Sequence, residues 1–560
     1  MTVPTPETAA GHGSDAAFER LARATLDDVL SRRPDLATEL GDHRFDDRLP
    51  DERPEALEDE RRVLVARLRE LSALGGSALL ADNRVDAEIL RAFAQRRLYE
   101  LEALREHEWN PLVANPATAV YALLARDFAP LGERLRSLAG RLAAVPESLE
   151  VARRALHDMP RVHLETAVGQ FAGTAALIGQ EVDRALESEP GLRGEVDAVR
   201  PAALAAIEEH RRWLSGRLAS LQGPGPDPRI GPGRFARKLA HTLDAAASSD
   251  QVLARAEAEL AQVEEEIART AARVSGGAPG APGLVRRVLD RLAADRPDND
   301  TILGLCRRAL EEATELVREQ DLVTVYDDPV EIIEMPEFHR GVAVAYCDPP
   351  GPLEQRPLPT FFAVSPTPAD WPPERVASFF REYNEHMVHN LTVHEAMPGH
   401  ALQLAHARRS RAPTPVRGAL WSGPFVEGWA VYVERVVAEH GHHGDALRMQ
   451  QLKMQLRMII NAILDARVHA HGMTEDEAML LMTERGHQEE GEATGKWRRA
   501  LLSSTQLSTY FVGYTEVSDL AADLAASQPG LSERGLHDRL LAHGSPPPRH
   551  LRTLIGLAGR

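Results

Sequence analysis

Most of the chain carries the hydrophobic spacing of amphipathic helices. From Phe18 onward, apolar residues recur at steps of three and four positions, which places them on one helix face. Similar patterns continue almost to Asp321, and residues 1–14, which are small and polar, predict a disordered tail in front of them. The pattern therefore predicts a helical region over residues 15–321. It is interrupted by proline-containing turns, the clearest being Asn110-Pro111, Asn115-Pro116 and Met159-Pro160.

Two segments of this region are dense in glycine and proline, Gly223–Gly233 and Ser275–Gly283. Such a composition cannot continue a helix. We expect both segments to be connections or flexible lids.

After Leu322 the period changes to that of short strands. β-Branched and aromatic runs separated by Asp, Pro and Gly are typical of a small β-sheet. We predict such a sheet just before the helix that carries the candidate chemistry. The runs are Leu322–Tyr326, Val330–Ile333, Val342–Tyr346 and Thr360–Val364.

Three long helices are predicted after the sheet. The first begins near Trp371, where prolines are tolerated in the first turn, and runs into His394. The second covers Gly418–His440, and the third extends from about Asp445 to His471. Residues 322–560 thus form the second region of a mainly α protein, and we expect them to make one continuous structural unit with residues 15–321.

Composition limits the classes of molecule that the chain is expected to bind. A formal net charge of −19 argues against a nucleic-acid or anionic-membrane partner, since both usually need a basic face. The two cysteines, Cys306 and Cys347, are too few for a disulfide framework and lack the spacing of a zinc site. The amino-terminal residues have neither the basic nor the apolar region of a signal peptide, and no stretch is apolar enough to span a bilayer. We expect a soluble cytoplasmic protein.

The strongest candidate for chemistry is His394–His400, with the sequence HEAMPGH. In the zinc motif H-E-x-x-H two histidines share one helix face, but here two residues have been added. Six positions turn an ideal helix by roughly 600°, which leaves the imidazoles about 120° apart and about 9 Å apart along the axis. Because Pro398 has no N–H and Gly399 tolerates unusual backbone angles, we expect a break that brings His400 back beside His394. The alternative is that Pro-Gly simply ends a helix and the histidines are incidental.

A glutamate in the second predicted helix can complete the site. Two histidines and one glutamate leave a fourth tetrahedral position for water, as in catalytic zinc sites. We prefer Glu427, because Glu-Gly-Trp-Ala resembles the glutamate-bearing second helix of several H-E-x-x-H enzymes. Glu434 lies about two turns further along the same face and is either the alternative ligand or an acceptor that holds one. We predict one Zn²⁺ per chain, bound by His394, His400 and Glu427.

Three segments resemble a known family. HEAMPGHALQ, EGWAVY and the amino-terminal DLATELGDHRFDDRL are similar to the bacterial domain-of-unknown-function 885 (DUF885) family, and the likeness extends along most of the chain. The fold of that family is similar to the helical zinc peptidases that include carboxypeptidase Taq, thimet oligopeptidase and angiotensin-converting enzyme. The resemblance implies a large helical body with a deep cleft and a metal site. It also implies that the small sheet either binds the substrate backbone by strand addition or only closes the floor of the cleft.

The resemblance also implies roles for residues outside the metal motif. Asp465 and His469 match an Asp-x-x-x-His of the family, although Ala466-Arg467 stand where Thr-Gly is expected; Asp465 would orient His469 as a donor to substrate. Gln506–Gly513 resembles a Gln-x-x-x-Tyr-x-x-Gly segment, with Ser504-Thr505 where Pro-Gly is usual. Tyr510 is the candidate donor to a developing oxyanion. His537 matches the family too, with either a functional or a purely structural role.

Three functions are compatible with these residues. The preferred one is a zinc-dependent hydrolase that cleaves an amide bond in a short peptide, with Glu395 as general base and Tyr510 and His469 as donors to the oxyanion. The second is a metal-dependent hydrolase of a non-peptide amide or another small metabolite. The third is a helical binding protein without catalysis, against which the intact Glu395 counts.

Overall fold

The computed structural model of the chain describes residues 6–75, 79–335, 345–368 and 371–557. The protein is mainly α-helical, with one small sheet, as the hydrophobic pattern predicts. In the first helix Phe18, Ala22, Leu26 and Leu30 are buried, so the apolar stripe of the sequence is the packed face. The first helices are α1 Pro6–Arg32, α2 Pro34–Leu40, α3 Pro54–Ala73, α4 Ala81–Tyr99, α5 Glu106–Trp109, α6 Ala117–Ala125, α7 Leu131–Ala155, α8 Arg161–Ala176, α9 Val182–Ser188, α10 Arg193–Asp197 and α11 Arg200–Ser220.

Four helices and three strands follow. Both glycine- and proline-rich segments are connections as predicted, one between α11 and the next helix and one directly after Ser275. The elements are α12 Pro232–Leu243, α13 Ser249–Ser275, α14 Leu284–Leu292, α15 Ile302–Glu319, β1 Val330–Glu334, β2 Ala345–Asp348 and β3 Thr360–Val364.

The rest of the chain is helical. Its helices are α16 Pro373–Glu382, α17 Glu385–Glu395, α18 His400–Arg409, α19 Val416–Ala419, α20 Gly423–Glu439, α21 Gly444–His471, α22 Glu475–Leu480, α23 Glu490–Leu502, α24 Ser508–Ser527, α25 Glu533–Leu541 and α26 Pro548–Leu554. No helix within the described ranges combines the length and the apolar composition needed to cross a bilayer.

The small sheet has the strand order β1-β3-β2. β1 pairs in parallel with β3, with Val330 opposite Thr360, and β2 pairs antiparallel with β3, with Ala345 opposite Val364. Three of the four predicted strands are therefore confirmed in position, although Val342–Val344 of the third lie outside the described residues.

The predicted strand Leu322–Tyr326 is wrong, because this fully described segment forms no strand. Several of its backbone groups bond to side chains instead of a neighbouring strand. The N–H of Thr324 donates to Asp538 Oδ1 over 2.9 Å, and the carbonyl of Leu322 accepts from His537 Nδ1 over 2.6 Å. The apolar side chains at the start of this segment are buried in the core. They give the segment the composition of a strand, although its backbone does not form one.

The helix predicted from Trp371 to His394 is two helices. It breaks between Glu382 and Glu385, where Asn384 Oδ1 accepts from the N–H of Met387 and caps α17. The second predicted helix likewise begins later than Gly418, since Ser422 caps α20. An asparagine or serine that offers its side chain to orphan N–H groups can start a helix inside an apolar pattern.

Contacts divide the chain into two compact units. The first comprises Met1–Pro228, Pro350–Leu358 and Pro413–Leu420, and its helix α11 packs against α7 and α8. The second comprises Arg229–Pro349, Pro359–Ala412 and Trp421–Arg560. Its core is built around α20 against α24 and α13 against α21. Helix α13 belongs to the second unit because it packs against α21, which lies far along the sequence.

Candidate metal centre

The helix that carries the motif is interrupted as predicted. α17 ends at Glu395 and α18 begins at His400. Between them the backbone makes long-step hydrogen bonds, from the N–H of Gly399 to the carbonyl of Val393 over 2.9 Å and from that of Leu402 to Ala396 over 3.2 Å. The peptide bond before Pro398 is cis.

Glycine is required at position 399 by close backbone approach. A Cβ there would lie 1.9 Å from the carbonyl oxygen of His394 and 2.3 Å from that of Val393. The turn is also held from α20, because Trp429 Nε1 donates to the carbonyl of Pro398 over 2.9 Å. The Pro-Gly pair thus does more than end a helix: it allows a tight turn that returns the chain beside α17.

The turn brings the three predicted ligands together. The imidazoles of His394 and His400 lie with ring centroids 4.7 Å apart and planes at 86°. Nε2 of each ring lies 3.5 Å from Oε2 of Glu427. One ligand atom from each of the three side chains lies within 4.8 Å of the others. The structure thus places the residues 394, 400 and 427 in one cluster.

The donor set of this cluster fits zinc. Two imidazole nitrogens and one carboxylate oxygen are ligands that zinc takes at about 2.0–2.2 Å, so neighbouring ligand atoms of a tetrahedral site lie about 3.3–3.6 Å apart. The two 3.5 Å separations match that spacing. Glu427 Oε2 is also buried and has no hydrogen-bond partner among the described residues, which a cation would supply.

Charge complementarity holds the cluster together. Burial by itself raises the pKa of Glu427, but its contacts with His394 and His400 outweigh burial and lower the pKa well below its ordinary value. For His394 burial lowers the pKa, but Glu427 and Glu434 outweigh it and raise the pKa well above the usual range. Glu427 is therefore ionised, which is the form that binds a metal.

Glu434 orients His394 instead of joining the ligand atoms. Its Oε1 lies 2.7 Å from His394 Nδ1, and its Oε2 accepts from Asn390 Nδ2 over 2.7 Å. The carboxylate is buried. When His394 loses its Nε2 proton to bind a metal, the Nδ1 proton stays directed at Glu434 and Nε2 offers its lone pair to the cluster, an arrangement that fixes ligating histidines in many metal sites.

Glu395 lies beside the cluster but outside its ligand atoms. Its side chain is buried, and its Oε2 accepts from the backbone N–H of Cys347 in β2 over 2.9 Å. Its charge also contributes to raising the pKa of His394, after the larger effects of burial, Glu427 and Glu434. The strand therefore fixes the position of a carboxylate next to a ligand.

Tyr510 lies on α24, which crosses α20 closely. A Cβ on Gly428 would lie 2.3 Å from the backbone of Gly513, and one on Gly513 would lie 2.0 Å from the carbonyl oxygen of Pro424. This contact places Tyr510 near Glu427, whose negative charge is the largest cause that raises the pKa of the Tyr510 hydroxyl, followed by burial. Its hydroxyl lies 3.5 Å from Gln506 Nε2.

Gly513→Ala is expected to lower the free energy of unfolding by about 1–3 kcal/mol, because the added methyl group would collide with α20. Denaturant unfolding of the purified variant measures this. Gly495→Ala on α23 is the control, because its Cβ would meet nothing within 4 Å. The control is expected to be neutral or slightly stabilising. Equal stability of the two variants would show that the helices can separate freely.

Comparison with known proteins places this chain in a family. A family model described as "Bacterial protein of unknown function (DUF885)" matches residues 34–555. The chain belongs to the DUF885 family. The resemblance of its motifs to DUF885 is thereby confirmed, while the family description assigns no activity.

Two solved structures are similar to this DUF885 chain. One is of "a putative lipoprotein of unknown function from Shewanella oneidensis", with 27% identity, a TM-score of 0.82, and coverage of 96% of this chain and 99% of that one. The other is a protein of Colwellia psychrerythraea, with 16% identity, a TM-score of 0.79, and coverage of 97% and 98%. No curated protein matches this chain. The cytoplasmic location expected from the sequence stays a prediction.

The structure gives His469 of the DUF885 chain a different role from the predicted donation to substrate. Its Nε2 lies 2.8 Å from the carbonyl oxygen of Ala500 and 3.1 Å from that of Ser503, and the ring stacks on Phe235. A ring nitrogen that donates to backbone carbonyls is not available to an oxyanion. His469 instead ties α21 to the end of α23.

Asp465 has other partners as well. Its two oxygens accept from the N–H groups of Thr505 and Ser508 and from Ser508 Oγ over 2.7–3.0 Å, and not from His469. Thr505 has a φ of 71°, a conformation that is rare for β-branched residues. A positive φ of this kind favours glycine, yet Thr505 adopts it in the turn that Asp465 holds.

Three contributors at the DUF885 site were not predicted from the sequence: Asn390, Trp429 and the backbone of Cys347. The role of Asn390 could have been predicted from the sequence, because it lies one helical turn before His394 and therefore on the same face of α17. The contacts of Trp429 and Cys347 depend on how α20 and β2 pack, for which the sequence has no local signal. His537 bonds to Leu322 and to the hydroxyl of Tyr432 and is structural.

Proposed function

We propose that this DUF885 protein is a zinc-dependent hydrolase that cleaves amide bonds in short peptides. The observation that carries the proposal is the convergence of His394, His400 and Glu427 beside a separate buried carboxylate, Glu395. A site that only binds metal needs the three ligands but not the fourth group. A hydrolase needs both.

The number of protein ligands supports a catalytic site. Structural zinc sites are closed by four protein ligands, whereas catalytic sites have three and leave one position open. Among the described residues the cluster offers three, since Glu434 is directed at the far nitrogen of His394. When bound, zinc supplies a Lewis acid that polarises a carbonyl and makes water more acidic.

Glu395 is the general base of the proposed reaction. The carboxylate takes a proton from the attacking water and delivers it to the leaving amine. The hydrogen bond from the N–H of Cys347 fixes one oxygen and so limits the rotation of the group. A carboxylate held in a fixed position lowers the entropic cost of reaching the geometry needed for proton transfer.

Tyr510 is the donor to the developing oxyanion. Since the pKa of its hydroxyl is raised by Glu427 and by burial, the group keeps its proton at neutral pH and can donate it in a hydrogen bond. His469 is not part of this proposal, because its Nε2 is directed at Ala500 and Ser503.

Tyr510→Phe is expected to lower kcat by roughly 10²-fold with a smaller change in KM, because the lost hydrogen bond forms mainly in the transition state. Steady-state kinetics on a cleaved peptide measures this. Tyr514→Phe, on the same helix, is the control: its hydroxyl accepts from Arg435 and Gln455, so only stability is expected to change. Equal kcat values for the Tyr510 variant and the wild type would remove Tyr510 from the mechanism.

The substrate class rests on the expected resemblance of the DUF885 fold to the helical zinc peptidases and on the sheet that borders the site. Among the described residues β2 is the last strand in the sheet order, and the backbone N–H of Cys347 in this strand holds Glu395, so the sheet borders the proposed base.

A substrate panel with metal analysis tests the proposed function. Zinc-loaded protein is incubated with peptides of varied length and with small non-peptide amides, and release of free amine is measured. The proposal predicts cleavage of short peptides that a chelator abolishes and zinc restores. Cleavage of non-peptide amides alone would favour the second function, and bound zinc without any cleavage would favour a binding protein.

A further inference from the structure

A second group of histidines meets α17 at His389, about one and a half helical turns before His394. One ligand atom from each of His389, His442 and His443 lies within 4.8 Å of the others. The ring centroids of His389 and His443 are 3.9 Å apart, and those of His442 and His443 are 4.4 Å apart. A carboxylate joins them from α15: Glu312 Oε2 lies 2.9 Å from His443 Nε2 and 3.6 Å from His389 Nδ1.

The fold builds this cluster from a sharp turn. The sequence His-Gly-His-His-Gly, residues 440–444, links α20 to α21. Gly441, His443 and Gly444 all have positive φ, at 80°, 49° and 60°. Such a turn favours glycine on both sides of the histidine pair and lets two consecutive imidazoles approach the same point. A non-glycine residue at positive φ is uncommon, and it is often found where function constrains the backbone.

Two polar atoms of the cluster lack partners. His389 Nδ1 and His442 Nε2 are buried and have no hydrogen-bond partner among the described residues. A buried polar atom without a partner is unfavourable, because it has lost its hydrogen bonds to water. A divalent cation between the rings would satisfy both atoms at once, and the carboxylate of Glu312 would balance part of its charge.

We propose that His389, His442 and His443 bind a second metal ion, a first-row transition cation of the kind that imidazole favours, such as Zn²⁺, and that Glu312, which lies outside their ligand atoms, orients His443. Three imidazoles are ligands that zinc takes in proteins. The side chains of Glu312 and His443 are 46% and 33% exposed, so an ion can reach the cluster from solvent. The ion clamps the link between α20 and α21 onto α15 and α17.

This site is separate from the candidate catalytic centre and does not depend on the proposed function. His389 and His394 are five residues apart on α17, which corresponds to about 7.5 Å along the axis and a rotation of roughly 140°. The metals of two-metal catalytic sites lie only about 3.5–4 Å apart. The second ion is therefore held independently, with a structural effect on the helix that carries His394.

Zinc titration of the full-length protein after chelation tests this inference. The wild type is expected to bind two equivalents of Zn²⁺ and Glu427→Ala one. Adding His443→Ala to the Glu427→Ala background is expected to remove the remaining equivalent and the rise in Tm that accompanies it. Glu312→Gln, a change at a half-exposed side chain that leaves the core intact, is expected to weaken the same equivalent.

His440→Ala in that background is the matched control. It lies in the same glycine-flanked turn, but its ring contacts the carbonyl of Val436 and Glu533 and not the cluster. The control is expected to keep the equivalent that His443→Ala loses. Equal zinc binding by the His440 and His443 variants, or no zinc bound by Glu427→Ala alone, would overturn the proposal whatever the activity of the protein.

Discussion

Glu395→Gln is expected to lower turnover by roughly 10²- to 10⁴-fold, the range that general base catalysis commonly supplies. Glutamine has nearly the same shape as glutamate, so the fold and the acceptor for the N–H of Cys347 are retained. Its amide cannot accept the proton of water. Because Glu395 lies outside the ligand atoms, the zinc content is expected to stay at the wild-type value.

Zinc content and turnover are both measured on the same preparation of Glu395→Gln. Glu385→Gln is the matched control, since Glu385 is an exposed residue at the start of the same helix. A surface change of this kind shifts stability by less than about 0.5 kcal/mol and leaves turnover unchanged. Unchanged turnover in Glu395→Gln would show that Glu395 is not the general base. Loss of the metal from this variant would show that Glu395 is a metal ligand.

Glu427→Ala is expected to abolish zinc binding at the His394–His400 site, because it removes one of three protein ligands and leaves two imidazoles. Glu434→Gln is expected to weaken zinc only about 10- to 100-fold, the usual effect of losing a group that orients a ligating histidine. Zinc titration after chelation separates the two.

The comparison of these two variants decides which glutamate is the ligand. If Glu427→Ala kept full zinc affinity while Glu434→Gln emptied the site, Glu434 would be the ligand and the contact with His394 Nδ1 would change on metal binding. The structure predicts the opposite order, because both 3.5 Å contacts across the cluster involve Glu427.

Hydrophobic periodicity predicted the helices and most of the sheet, since one-sided burial is a local property of the sequence. It also predicted the break at Pro398-Gly399, where the missing N–H and the absent Cβ act within the segment itself. The choice between Glu427 and Glu434 was harder, because the two lie on one face of α20. Only the way that helix packs against α17 decides which reaches the ligand atoms.

The contacts that the sequence did not predict share a physical cause, because they are made with residues that lie far away in the sequence. Asp538 and His537 took the backbone bonds that a strand at Leu322–Tyr326 would have used. Backbone carbonyls at Ala500 and Ser503 accept from Nε2 of His469, and the sequence did not predict these contacts. None of these partners is visible in local composition. The approach of Gly428 to Gly513, which places Tyr510, depends on a helix crossing in the same way.

Stepwise zinc titration of the metal-free protein, with peptide cleavage measured in each sample, tests the central claim most directly. The His443→Ala background leaves the candidate catalytic site as the site that fills. We predict that cleavage rises in proportion to bound zinc and reaches its plateau at one equivalent per chain. Full occupancy by zinc at His394, His400 and Glu427 without cleavage of any peptide or amide would contradict the account.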